Sequence, residues 1–462
     1  MFFLLNGECY RPPNRIREGN VRIIETAVLM ISALAASPAL AQALPDTTAC
    51  PESIAAIATC YTAKQESGAY LLAAMPKNWN GNLIVFAHGG PAVTPPTPTS
   101  SQGDLARSAM GVKRGFAWIA SSYRREGYGV QMAAEDTDNA RKFFVARIAK
   151  PKRTILHGTS YGGLVGAKLL EKSAKNADGS LNYDGALFNS GAVAGSILNY
   201  EFRADLHAVY QYYCGNLPRP TETQYPLWMG LPADSKLTLK EMGARIDECT
   251  GAGQPANMRT EQQKQNLANI LGVVRIPERM LARHMQAALF VFRDIAQGVA
   301  SGHSAFSNVD VRYRGSSDDA ALNRGVARFA ADATAVAALK AEGEPAGTLP
   351  VPLISIHSLN DPQVAVESQA NYRAKVSEAG NGARLVQAYT DENEHAAQSA
   401  PELGAALDML MQWIEKGDKP TPQSIAGACA PLRASYEGPC RYHPDYEPKP
   451  YSTRFARAAA IQ

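Results

Sequence analysis

The sequence predicts an α/β protein: a mostly parallel, doubly wound sheet with helices on both faces and a helical block inserted before the last strands. Three observations predict it. Short apolar runs alternate with helix-like stretches in the first half of the chain, the pattern of buried parallel strands and their crossovers. The alternation stops between about residues 195 and 349 and then resumes. The composition, 45% hydrophobic and 19% charged over 462 residues, is that of a soluble globular protein able to bury a sizeable core.

Taken in order, residues 57–75 read as two short strands joined at Glu66-Ser67-Gly68. Strands are expected at 83–87, 116–120, 154–157 and 185–188, with helices near 103–113, 135–149 and 162–173. The block that follows is helical and aromatic, broken by Pro and Gly. Its clearest helix is expected at 279–299, where Met280, Met285, Leu289, Phe290 and Phe292 offer an apolar face. Strands resume at 351–356 and 384–389, followed by an amphipathic helix at 401–416. The expected division is therefore a leader at 1–41, one core made of 42–194 and 350–418, a helical cap at 195–349, and a Pro/Tyr-rich tail at 419–462. The tail is expected to run over the surface, and no internal repeat is found.

Charge and cysteines bound the partners and the compartment. The formal charge of +3 is too balanced for a nucleic-acid binder, and no RNA or DNA motif is present. No apolar run reaches the roughly 20 residues that cross a bilayer, so stable membrane insertion is not expected. Arg15, Arg17 and Arg22 precede an apolar stretch from Ala27 to Ala36, and Pro38-Ala39-Leu40-Ala41 follows as a small-x-small cleavage pattern. This reads as a secretion signal leaving Gln42 first. About 20 residues precede it, which an over-extended start would explain. Loss of Cys9 with the leader leaves Cys50, Cys60, Cys214, Cys249, Cys429 and Cys440. They fall as three sequence-local pairs. Short loops close at the least entropic cost, which favours those partners among the 15 connectivities that six cysteines allow. Such bridges persist in an oxidising compartment, so a secreted or periplasmic location is expected. No His/Cys cluster has zinc spacing, and no metal is expected.

The central motif is Gly158-Thr159-Ser160-Tyr161-Gly162, directly after one predicted strand and directly before a helix. A sharp strand-to-helix turn presents a serine nucleophile and needs small flanking residues, and Gly158 and Gly162 meet that need. His88-Gly89-Gly90-Pro91 follows an earlier strand. Pro91 has no N–H, so Gly90 is the expected oxyanion donor, with the Tyr161 N–H as its partner. In this arrangement an acid and then a histidine follow the serine along the chain. Asp361 stands just past the strand at 351–356, and His395 stands on the loop after the strand at 384–389. Ser160, His395 and Asp361 are thus the expected triad, with His395 taking the serine proton and Asp361 fixing its tautomer. His207, His284 and His303 lie in the helical block, His157 within a strand, His357 before the acid and His443 in the tail. Asp391 and Glu394 are read as solvated loop charges.

With these residues in place the chain resembles the α/β-hydrolase superfamily over about 57–196 and 350–416. His88-Gly89-Gly90-Pro91 with Gly158-x-Ser160-x-Gly162 looks most like the proline-iminopeptidase and tripeptidyl-aminopeptidase branch, in which a helical cap occupies the position of the block here. The resemblance implies hydrolysis of a small ester, an amide or a short peptide through an acyl-enzyme, without a cofactor. It departs after Pro91, where Ala92 stands in place of a common glycine. A non-catalytic scaffold on the same fold is the alternative from another class. The aromatic residues Tyr200, Phe202, Tyr210, Tyr212, Tyr213, Tyr225 and Trp228 of the cap are candidates for a substrate pocket or for packing.

Overall fold

The computed structural model describes residues 44–453; the expected leader, with Cys9 and the Ala41–Gln42 junction, lies outside them. The described residues form a sheet of nine strands: β1 (Asp46–Thr48), β2 (Ala58–Lys64), β3 (Tyr70–Pro76), β4 (Asn82–Ala87), β5 (Ala117–Ser121), β6 (Arg153–Thr159), β7 (Gly185–Asn189), β8 (Leu353–Ser358) and β9 (Leu385–Thr390). Their order across the sheet is β1-β2-β3-β5-β4-β6-β7-β8-β9. The pairs from β1 through β3 to β5 are antiparallel, and those from β5 to β9 are parallel.

The parallel strands read as unbroken apolar runs because both faces are covered. Along β4, Leu83, Val85 and Ala87 enter one core while Ile84 and Phe86 enter the other, as the two-residue period requires. The first core packs helices Val130–Arg147 and Tyr161–Ser173 and continues into the cap. The second packs Ala400–Lys416, whose Ala406, Leu407, Leu410 and Trp413 are buried against the sheet.

The cap is helical, as expected, but the segment 279–299 is not one regular helix. It runs as a 3₁₀ turn at Glu278–Met280, an α-helix at Leu281–Gln286, a π segment at Ala287–Val291, a short α stretch at Phe292–Asp294 and a second π segment at Ile295–Val299. The apolar face survives the change of winding, because Met285, Leu289, Phe290 and Phe292 are buried. The helix expected at 103–113 is broken at Ser108 into Gln102–Arg107 and Ala109–Lys113.

Three disulfides close the local cysteine pairs Cys50–Cys60, Cys214–Cys249 and Cys429–Cys440. The tail is more structured than its composition suggests. It forms a helix at Pro422–Leu432, then Tyr442 makes a β-bridge to Thr390 at the exposed edge of β9. No helix among the described residues is long and apolar enough to cross a membrane.

Candidate active site

Sheet order places the site. β5 lies on one side of β4 and β6 on the other, so the winding direction reverses between β4 and β6, where α/β sheets open a crevice at the carboxyl ends of their strands. The two strands are in register, Ala87 opposite Gly158. The loops carrying Gly90 and Ser160 therefore leave the sheet side by side. A Cβ built on Gly89 would sit 3.4 Å from the Thr159 carbonyl oxygen and 3.6 Å from the Ser160 Cβ.

Ser160 sits at φ 58°, ψ −123°, immediately before helix Tyr161–Ser173. A non-glycine residue in that region costs on the order of 1–3 kcal/mol and persists only where its surroundings over-determine it. Three backbone hydrogen bonds do so: Ser160 N–H donates to Asn189 O (3.0 Å), and Ser160 O accepts from Gly163 N–H (2.9 Å) and Ala192 N–H (2.9 Å). The flanking glycines are needed for close approach. A Cβ on Gly162 would lie 2.0 Å from the Ala87 carbonyl oxygen, and one on Gly158 would lie 2.4 Å from the Gly162 oxygen.

Asp361 and His395 meet across the ends of β8 and β9. The His395 Nδ1–H donates to the Asp361 carboxylate, at 2.7 Å from Oδ2 and 2.9 Å from Oδ1. Asp361 Oδ1 also accepts from the N–H groups of Gln363 and Val364, each at 2.9 Å. Asp361 is 3% exposed. Burial alone would push its carboxyl up, but the charge and hydrogen bond of His395 outweigh that and hold it below its ordinary value. With Nδ1 carrying the proton toward Asp361, Nε2 is the free acceptor of the ring. It is buried and makes no hydrogen bond to any described residue, Ser160 included. The structure thus joins Asp361 to His395 and places Ser160 in one cavity with Gln363 and Val364 of the Asp361 loop, with no hydrogen bond between Ser160 and His395. Such bonds often tighten only when substrate is bound.

A buried polar relay fixes the acid loop relative to the serine turn. His357 Nε2–H donates to Val364 O (2.9 Å), and its Nδ1 accepts from the Gln369 amide (3.0 Å). The same amide reaches Gly191 O (3.2 Å), next to the Ala192 that holds Ser160. Burial keeps His357 neutral by lowering its pKa, which suits a ring that both donates and accepts. His284, pushed down to about 3 by burial, donates from Nε2 to Pro362 O (3.0 Å) and steadies the same loop from the cap.

The histidine loop is held from outside by the tail. Asp391 N–H donates to Arg441 O (2.9 Å), His443 N–H to Tyr389 O (2.8 Å), and Ser399 Oγ–H to Pro439 O (2.6 Å). Asp391 and Glu394 are exposed; Glu394 pairs with Arg279 of the cap at 3.0 Å. His88 shapes its loop: its Nδ1 bonds the buried Asp104 carboxylate, and its carbonyl accepts from Tyr123 Oη–H at 2.8 Å.

Gly90, Ser160 and Tyr161 line one cavity of about 440 Å³, roofed by cap residues Tyr200, Phe202 and Arg203. A second, of about 410 Å³, shares Gly90, Tyr200, Arg203 and Gln363 with it and opens toward Arg283. The aromatic residues of the cap divide. Tyr200 and Phe202 face the cavity, while Tyr210 is buried against Asn216 (2.9 Å) and Tyr212 is exposed and packs edge-on to Tyr213. Tyr225 lines a separate cavity within the cap. Sequence reasoning missed Arg203, Gln363 and Tyr451. Arg203, four residues after Asn199 on helix Ser196–Cys214, carried a signal in being a basic residue amid the aromatic stretch. Tyr451 carried none, since only tertiary folding brings the tail to the cavity.

The sequence matches no known family and no curated protein. Among solved structures, an esterase from Aspergillus oryzae overlaps 79% of this chain and 80% of its own at 16% identity and a TM-score of 0.40. Candida antarctica lipase A overlaps 82% and 83% at 12% identity and 0.42. A rice cell wall degrading esterase from Xanthomonas oryzae overlaps 78% and 90% at 12% identity and 0.38. The strand order, the reversal at β4 and β6, and the strained serine turn after β6 make this the α/β-hydrolase fold.

Proposed function

We propose that the chain is an exported serine hydrolase that cleaves a small ester through an acyl-enzyme on Ser160. The observation that carries the reading is the strained Ser160 turn at the crevice, together with a buried Asp361 that holds His395 with its Nε2 left free to accept a proton. His395 Nε2 takes the Ser160 proton as Oγ attacks the substrate carbonyl, and Asp361 stabilises the imidazolium while remaining ionised. The N–H groups of Gly90 and Tyr161 stabilise the oxyanion, and the dipole of helix Tyr161–Ser173 adds to them. The tetrahedral intermediate collapses with the imidazolium protonating the leaving alcohol. Water, deprotonated by the same nitrogen, then attacks the acyl group, the serine is released and the acid departs.

An aminopeptidase reading is less well supported. Recognition of a free α-amino group calls for a carboxylate at the subsite, and no Asp or Glu among the described residues lines either cavity. Three disulfides support an oxidising compartment, secreted or periplasmic, in agreement with the leader expected at 1–41. The test is a fluorophosphonate probe and a chromogenic short-chain ester. The probe is expected to label Ser160, and Ser160→Ala to abolish both labelling and turnover while leaving the unfolding transition in place. Labelling that survives the substitution defeats the reading, and a wild type that neither reacts nor turns over points to a binding scaffold.

A further inference from the structure

Arg203 projects from helix Ser196–Cys214 into the wall shared by the two cavities and is only 7% exposed. Among the described residues it has no carboxylate partner. Its terminal nitrogens donate to carbonyl oxygens, those of Asn199 and of Gln363 (3.3 Å), and its Nε has no partner. The guanidinium also packs over the rings of Phe202 (4.4 Å) and Tyr200 (5.3 Å). Neither ring supplies a counter-charge: the Tyr200 phenol is pushed up to about 12 by burial and stays neutral. A buried cation is normally paired, because desolvation without a counter-charge is expensive and carbonyls and rings offset it only in part. Arg283, exposed and lining the second cavity, has Gln286 Oε1 (3.2 Å) as its hydrogen-bond partner among the described residues. The cleft made by these two adjoining cavities is lined by Ser160 in the first, Arg283 in the second and Arg203 in both, with no Asp or Glu among the described residues that line it.

We propose that this cleft binds an anionic group of the substrate, with Arg203 as its counter-charge and Arg283 at its entrance, so that the ester cleaved at Ser160 carries a carboxylate. The inference rests on the Ser160 hydrolase reading and adds the substrate class to it. A planar guanidinium matches a carboxylate better than an ammonium does, since it offers parallel N–H donors with a fixed geometry. Arg203 already gives part of its fork to the Gln363 carbonyl, which lies two residues past Asp361. An anion seated there shares a cavity with Ser160.

The carboxylate can belong to the acyl or to the alcohol side, and matched pairs separate the two. 4-Nitrophenyl hydrogen succinate against 4-nitrophenyl butanoate tests the acyl side; 4-acetoxybenzoate against its methyl ester tests the alcohol side. In one arm the wild type is expected to favour the anionic member at least tenfold in kcat/KM, about 1.4 kcal/mol. Arg203→Gln should remove most of that preference, mainly through KM, and Arg203→Lys should keep part of it. Arg283→Glu, at an exposed position where folding is not at risk, should lower the preference by severalfold. A wild type with no charge preference in either arm overturns the proposal, and so does an Arg203→Gln that slows both members of a pair equally, the signature of a brace for the acid loop. Turnover of the neutral esters without charge preference would leave the hydrolase reading standing. Failure to turn over any of the four, together with no fluorophosphonate labelling, would sink that reading itself.

Discussion

Asp361 and Asp391 end neighbouring strands of the same sheet, and both stand close to His395 in space or in sequence. Burial separates them. Asp361 is enclosed and accepts three N–H donors besides facing no solvent, whereas Asp391 is exposed and bonds Asn360 at 3.2 Å. Asp361→Asn is therefore expected to cost about 10⁴ in ester turnover by presenting the wrong tautomer to His395. Asp391→Asn should cost less than about tenfold. Steady-state kinetics on both variants decide it, and the opposite ranking would reassign the acid to the histidine loop. The lowered Asp361 carboxyl also has a stability signature. Its contribution is present in full above the ordinary carboxylate pKa of about 3.9 and is lost as pH falls through the lower folded value. Any stability advantage of the wild type over Asp361→Asn should shrink as pH drops from about 5 toward 3, measured by urea unfolding at each pH.

At the scale of the element, the serine turn depends on glycines whose replacement cost can be ranked. Gly162 faces the Ala87 carbonyl so closely that an added Cβ must move backbone, while Gly427, in helix Pro422–Leu432, has nothing within 4 Å. Gly162→Ala should destabilise by about 1–3 kcal/mol and cut turnover, since Ser160 and Gly90 would be forced apart. Gly427→Ala should leave turnover unchanged and stabilise by about 0.5–1 kcal/mol through helix propensity. Equal effects at the two sites would refute the close-packing account of the turn. Segment 279–299 shows the limit of periodicity as a guide. Its apolar spacing fits a helix, but two π segments rewind it, and the first of them carries Ala287 and Val291 to the cavity wall. Tertiary packing chose that winding.

Across the whole molecule, crosslinks hold the peripheral pieces that matter to the site. Cys214–Cys249 ties the helix bearing Arg203 to helix Leu239–Thr250, closing a loop of 35 residues. Cys429–Cys440 secures the tail that grips the histidine loop. In the chain-entropy account a bridge of the first span is worth roughly 3–4 kcal/mol. The mature protein is expected to show no alkylatable thiol before reduction, and the Cys214→Ser, Cys249→Ser double variant to lose stability of that order in denaturant unfolding. Six reactive thiols in the native protein would contradict the bridges. The tail also spares β9 an open edge, since Tyr442 bridges to Thr390 and the following residues pack on toward the cap.

What the sequence determined by itself was local and periodic. Both the β2–β3 pair and the parallel strands were legible because buried strands are written as apolar runs, and the serine turn because close approach demands glycine at Gly158 and Gly162. Strand ends then singled out Asp361 and His395, which the structure brings within hydrogen-bond distance of each other. The tertiary structure alone decided the rest. A side chain's partners depend on which distant backbone folds against it, so the His357–Gln369 relay and the solitary charge of Arg203 had no pattern to betray them. The tail looked like surface for the same reason: its Pro and Tyr residues find their hydrogen-bond partners on β9, the Ser399 loop and the cap, and sequence spacing carries no record of those contacts.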